Sequence, residues 1–167
     1  MVSRRNVRIK VMKALYAGNR DQALTDNSVK SYYKKSIEMA YDAYLFNLHQ
    51  LRKIAEYANT DAAIRAEKYR PTEEDKNFST KLYNNPVTLA IAESTEFASV
   101  LKQRKIRFRT DSDFTRRYYQ AFAQKDIYKD YLKQEESTNE DHVNVLLELY
   151  KTSLKDEVFS EMVDDQF

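Results

Sequence analysis

Six basic side chains, Arg4, Arg5, Arg8, Lys10, Lys13 and Arg20, fall within the first 20 residues, and no acid falls among them. Their chemistry is the neutralisation of an anion, since guanidinium and ammonium groups set along one helix can meet phosphates. Arg4 and Arg5 are the informative pair. Cations at a helix N-terminus oppose the macrodipole, so helix stability does not account for them, whereas something anionic outside the helix does. A solvated charged face is the other reading of the same run. A second cluster, Lys102, Arg104, Lys105, Arg107 and Arg109, alternates with Ile106 and Phe108. Interleaved cations and aromatics can stack on and neutralise a single strand. Basic residues at a helix C-terminus also suit the dipole, with Ile106 and Phe108 packed inward, and that reading is the simpler one.

Other chemistries lack their residues. Phosphate-cradling and dinucleotide fingerprints need several glycines in a short window, and the chain has one. There is no cysteine to act as nucleophile, and no Gly-x-Ser-x-Gly. His49 has Leu45 and Lys53 at helical spacing rather than a second ligand. His142 has Glu140 and Asp141 beside it but no matching histidine, so both histidines read as structural or surface residues. Asp111-x-Asp113 is explained by helix capping without a cation. No catalytic residue, metal or cofactor is expected.

The element that must position the first cluster runs from Ser3 to Gly18. Ser3 is a good N-cap, and Gly18 sits where a left-handed C′ residue would end the helix. On a wheel of about 100° per residue, Val7, Val11, Met12, Leu15 and Tyr16 share one apolar face, with Lys10 and Lys13 pointing away. Arg8 falls inside the apolar arc, where a buried charge needs a partner, so Arg8→Ala is expected to destabilise the fold. The helix is therefore expected to dock along that face and to carry a basic rim.

Arg4, Arg5, Val7, Arg8, Val11, Ala14, Leu15 and Tyr16 form the pattern Arg-Arg-x-Val-Arg-x-x-Val-x-x-Ala-Leu-Tyr. This resembles the opening helix of the NusB transcription antitermination factor family, and the rest looks like the helical insertion of longer members. The resemblance implies an all-helical, non-enzymatic, cytoplasmic protein of transcription termination and antitermination. It implies binding of single-stranded, boxA-like RNA through Arg4, Arg5, Arg8, Lys10, Lys13 and Tyr16. It also implies partnership with the NusE-like small ribosomal subunit protein and the transcription elongation complex. In this reading Arg4, Arg5 and Lys10 contact phosphates, and Tyr16 stacks or hydrogen-bonds near the RNA path. The alternative, drawn from the charge pattern, is a helical protein-interaction module with no nucleic-acid role. The family's second helical bundle has no counterpart, so the chain is expected to be the front part of a longer protein. Its last helix (Val158, Phe159, Met162, Val163, Phe167) is then expected to expose an apolar face.

Composition bounds the fold. One glycine, two prolines and 32% charged residues favour helices over sheets, which need more turn residues. Mean hydropathy is low, at −0.78. Thirteen tyrosines and eight phenylalanines offset it, so the core should be tyrosine-rich. Zero cysteines exclude disulfides, and no apolar run is long enough to span a membrane. Residues 126 to 167 hold twelve acids and four basic residues, a net of −8, leaving +10 on the first 125. Either an anion-binding front opposes an acidic back, or the two parts attract each other within the fold.

Periodicity and caps predict about seven helices in an all-α bundle. The chain is one helical domain, or the N-terminal part of a longer one, with residues 1–70 holding the basic and long helices and 71–167 the rest. The long helix starts near the candidate caps Asp26 and Asn27. It carries Tyr33, Ile37, Tyr41, Tyr44, Leu48, Leu51 and Ile54 over about 31 residues, roughly 46 Å. A break or kink is expected at Asn59-Thr60-Asp61, because the alternative, a helix that runs on unbroken through Ile64 to Tyr69, would outreach a domain of this size. Arg70-Pro71 ends the element. Asn85-Pro86 is a clean start, Ser94 a restart, Asp111-Ser112-Asp113 a cap, and Asn139 opens the last strong helix.

Overall fold

The computed structural model describes residues 3–21, 23–70, 72, 79–106 and 112–166, the side chains of 112, 158, 162 and 164–166 excepted. The chain is all-α. Eight helices and no strand are found among the described residues: α1 (Arg4–Arg20), α2 (Asp26–Ala66), α3 (Pro86–Glu93), α4 (Thr95–Gln103), α5 (Ser112–Ala123), α6 (Asp126–Lys133), α7 (Asn139–Leu154) and α8 (Glu157–Gln166).

Several starts follow the sequence. The Ser3 hydroxyl accepts from the Asn6 N–H at 3.2 Å. The Asn85 side chain accepts from the Val87 N–H at 2.9 Å, with Pro86 in the first helical turn. Ser94 accepts from the Phe97 N–H at 3.1 Å. The cap of α2 lies one residue before the expected Asp26, while α7 opens at Asn139 as expected. Thr25 caps α2, and Thr138 caps α7 in a capping box with Asp141. Asp111 and the Ser112 side chain lie outside the described residues, as do Pro71 and the segment 73–78.

The 41 residues of α2 run unbroken for about 62 Å, correcting the expected break at Asn59-Thr60-Asp61. Asn59 and Thr60 point to solvent and forfeit only helix propensity, at most about 0.7 kcal/mol each. Ala58 is fully buried, and Asp61 is held by Arg65 one turn on, Nε to Oδ2 2.7 Å. Packing outweighs propensity here. The length is accommodated because only the second half of α2, from Leu45 on, enters the core.

That core joins Phe46, Ile54 and Ala58 of α2 to Leu101 of α4, Phe114, Tyr118, Tyr119 and Phe122 of α5, Tyr128 and Tyr131 of α6, Val145 and Leu149 of α7, and Phe159 of α8. The expected tyrosine layer is present. Tyr57 lies 5.3 Å from Tyr119 and Phe122 5.0 Å from Tyr128, ring centre to ring centre. The Tyr119 and Tyr128 hydroxyls meet at 3.3 Å, which satisfies both inside the apolar layer. Phe159 is buried and Val163 packs against the core, so these two residues do not form the exposed last-helix face expected above. Val158, Met162 and Phe167 lie outside the described side chains. Apolar side chains are exposed elsewhere, on α1 and at Val143, Leu147 and Leu154 of α7.

His142 and Lys81 serve this packing. The His142 ring nitrogen Nδ1 and the Tyr131 hydroxyl meet at 2.8 Å, and Lys81 Nζ donates to the Tyr131 and Gln134 carbonyls at 2.7 and 2.6 Å. A cation there satisfies the C-terminal carbonyls of α6 and complements its dipole. Among the described residues no group of three potential ligands could hold a metal ion.

Burial raises the Tyr128 hydroxyl from the ordinary 10 to about 12, and raises Tyr119 further still. A folded value above the unfolded one means stability present below pH 10 and lost as pH rises towards 12. Chemical denaturation between neutral and strongly alkaline pH should show an alkaline loss that the double variant Tyr119→Phe, Tyr128→Phe lessens.

Candidate nucleic-acid interface

α1 lies back along α2 as an antiparallel helical hairpin. Gly18 lies beside Val29, and Asn6 and Ile9 lie near Met39 and Tyr32. The contact face of α1 is Val7, Lys10, Ala14, Ala17 and Gly18, with Ala14 only 3% exposed. This corrects the expected docking face. Met12 is 65% exposed, Leu15 62% and Tyr16 62%, and Val11 also reaches solvent. Hydropathy ranks residues by transfer energy, but a close helix pair selects for small ones. A Cβ added at Gly18 would sit 2.6 Å from Val29 Cγ2. Gly18 is thus a contact residue inside the helix and not its C′ stop. Its φ is not positive, and α1 continues to Arg20 with Asp21 at the C-cap.

Two further expectations change with the face. Arg8 is exposed, so it is not a buried charge in need of a partner. Lys10 is half-buried on the α2 side and does not point away from the docked face. The basic set is divided in two. Advancing about 100° per residue from the contact face, Arg4, Arg5 and Arg8 lie on one flank with Val11, Met12, Leu15 and Tyr16. Lys10 and Lys13 lie on the other flank, where they face α2. There a cleft of about 450 Å³ is lined by Asn6, Ile9, Lys10, Lys13, Tyr32, Lys35, Ser36 and Met39. Tyr16 lies outside this cleft, its hydroxyl accepting from Arg20 Nη1 at 3.4 Å.

Tyr32 and Lys35 were missed in the sequence. They sit within the periodic run of α2 and acquire meaning only when α1 folds beside them. Their spacing with Ser36 and Met39, three or four residues apart, was the available signal.

The second basic patch is partly tied up. Arg104 Nη1 meets Asp42 Oδ1 at 2.6 Å, and its guanidinium lies 4.9 Å from the Tyr41 ring centre. Asp42 is three residues from Met39, so Arg104 anchors about one helical turn along α2 from the cleft. Lys102 and Lys105 are exposed, Lys105 at a positive φ of 57°, and Ile106 is buried as expected. Arg107, Phe108 and Arg109 lie outside the described residues.

The ion pairs lie away from α1. In the body Arg65 pairs with Asp61, Arg117 with Asp156 and Lys125 with Glu148. Among the described residues, none of Arg4, Arg5, Arg8, Lys10 and Lys13 has a carboxylate within ion-pair distance. Lys125–Glu148 and Arg117–Asp156 link the basic and acidic parts of the sequence, but the α1 cations take no share in that attraction. Comparison with protein-family models, curated proteins and solved structures finds no match.

Two measurements follow. Gly18→Ala should lower the melting temperature despite alanine's better helix propensity, because overpacking costs about 1–3 kcal/mol against a propensity gain of about 1. Adding Val29→Ala should restore much of the loss. Arg8→Ala should change stability by no more than about 0.5 kcal/mol, as an exposed surface substitution does.

Proposed function

We propose that the protein binds single-stranded RNA through α1, as a transcription antitermination and termination factor of the NusB type with a boxA-like target. The observation that carries this reading is the set of α1 cations lacking carboxylate partners, two of them at the dipole end where they cost helix stability. Arg4, Arg5, Arg8 and Lys10 contact phosphates, Lys13 adds to the field, and Tyr16 offers an exposed ring for stacking. Single strands are the fitting target because sequence readout in RNA needs unpaired bases. Lys102 and Lys105 extend the positive surface. On this reading the protein is not an enzyme and uses no cofactor. The NusE-like ribosomal protein and the elongation complex are the partners that the resemblance brings with it. The setting is the cytoplasm, and no helix among the described residues is long and apolar enough to cross a membrane.

A second reading has its own observation. Val11, Met12, Leu15 and Tyr16 form an exposed apolar stripe, the kind of surface at which a partner helix packs. On that reading the protein is an interaction module, and Arg4, Arg5 and Arg8 form the rim of a protein interface.

Filter binding against salt separates the two. About four phosphate contacts on a single strand should give a slope of log K against log salt near −2.8. Arg4→Glu with Arg5→Glu should remove most of the affinity and leave the melting temperature nearly unchanged. A flat salt response would rule out the RNA reading in favour of the apolar one.

A further inference from the structure

The α1–α2 cleft has a composition that neither a solvated face nor a simple phosphate clamp requires. Three ammonium groups, from Lys10, Lys13 and Lys35, border it, and no carboxylate among the described residues lines it. None of the three has an ion-pair partner among the described residues, so the cleft holds like charges whose repulsion an incoming anion would relieve. Between them sits an apolar wall. Tyr32, 53% exposed, stands with Ile9 and Met39, while Asn6 supplies an amide with both donor and acceptor. At about 450 Å³ the space is that of a small-molecule site.

We propose that this cleft is a nucleotide site, occupied in function by one unit of a single strand, which rests on the RNA reading above. The phosphate lies among Lys10, Lys13 and Lys35, and the base lies against the Tyr32 ring, Ile9 and Met39, its edge within reach of Asn6. A bare phosphate would make no use of the apolar wall, and an acidic peptide would make no use of a flat ring. Lysines act here as point charges that tolerate varied phosphate positions, and ring stacking accepts any base. The site would therefore hold the strand with little sequence preference of its own. Arg4, Arg5 and Arg8, on the other flank of α1, take neighbouring phosphates.

The experiment measures fluorescence anisotropy of a labelled dodecameric oligouridine with four single variants of the full chain. Lys35→Gln and Tyr32→Ala should each weaken binding about tenfold, the scale of one stacked base. Lys35→Gln should also make the salt slope shallower by about 0.7, one phosphate contact on a single strand. Tyr32→Phe, which keeps the ring, and Lys34→Gln, exposed but outside the cleft lining, should stay within about twofold of wild type, since neither removes a stacked ring or a cleft charge. All three positions are exposed, and circular dichroism checks folding of each variant. Equal losses at Lys34 and Lys35 would show diffuse charge and overturn the cleft site. Wild-type affinity for the cleft variants, with binding lost on Arg4→Glu and Arg5→Glu, would overturn it while leaving the RNA reading intact. Displacement by polyglutamate as effective as by oligouridine would overturn it in favour of an acidic peptide. A titration of isotope-labelled protein with uridine monophosphate provides an independent arm. Amide shifts confined to residues 6–13 and 32–39 would support the site even if the longer strand did not bind, an outcome that defeats only the RNA reading. Absence of such shifts would count against the site.

Discussion

The hairpin depends on a close contact between α1 and α2, and the candidate interface depends on the hairpin. Ala14, Ala17 and Gly18 give α1 a face small enough to lie against Val29 and its neighbours. Once that face is fixed, 3.6 residues per turn decide everything else about α1. One flank receives the arginines and the large apolar side chains, and the other brings Lys10 and Lys13 to the Tyr32–Lys35 turn of α2. A rotation of α1 by half a turn would bury Met12 and Leu15 and dismantle the cleft. Steric fit at one glycine therefore sets the electrostatics of the surface.

The rest of the molecule shows why that surface is unusual. In the body, Arg117 and Lys125 find carboxylates, the buried Tyr119 and Tyr128 share a hydroxyl contact, and Lys81 satisfies helix-end carbonyls. Such pairs are each worth little at a surface. The hairpin leaves its charge uncompensated, at some cost to α1 through the dipole. An outside anion provides a physical account of that cost, and the Tyr32 ring and three lysines of the cleft are what the proposed nucleotide site would use.

Local chemistry was legible in the sequence. Ser3, Asn85-Pro86 and Ser94 cap as their side chains dictate, the 3.6-residue period located the long helix, and composition pointed to a tyrosine-rich core, although Tyr41 and Tyr44 of the periodic run stay exposed. Pair chemistry was not. The wheel of α1 ranked faces by hydropathy, whereas the α2 surface selected small residues, so Leu15 and Met12 were turned out and Arg8 with them. Gly18 was read as a stop because glycine's freedom is visible in sequence, while the proximity of Val29 is not. Asn59 and Thr60 suggested a break until Ala58 and Asp61 were seen to be held by the core and by Arg65. Arg4, Arg5, Lys10 and Lys13 were legible as a site by type. Tyr32 and Lys35 were not, since only the fold places them opposite Lys10.

The central claim is that a nucleic-acid strand lies on the α1–α2 hairpin and not on the body. Ultraviolet cross-linking of the full chain to a 4-thiouridine-substituted single strand, followed by mass spectrometry of the digested protein, tests it most directly. The account predicts adducts within residues 4–16 and 32–39, with Tyr32 prominent. Adducts concentrated in residues 112–166, or none at strand concentrations that saturate binding, would contradict it.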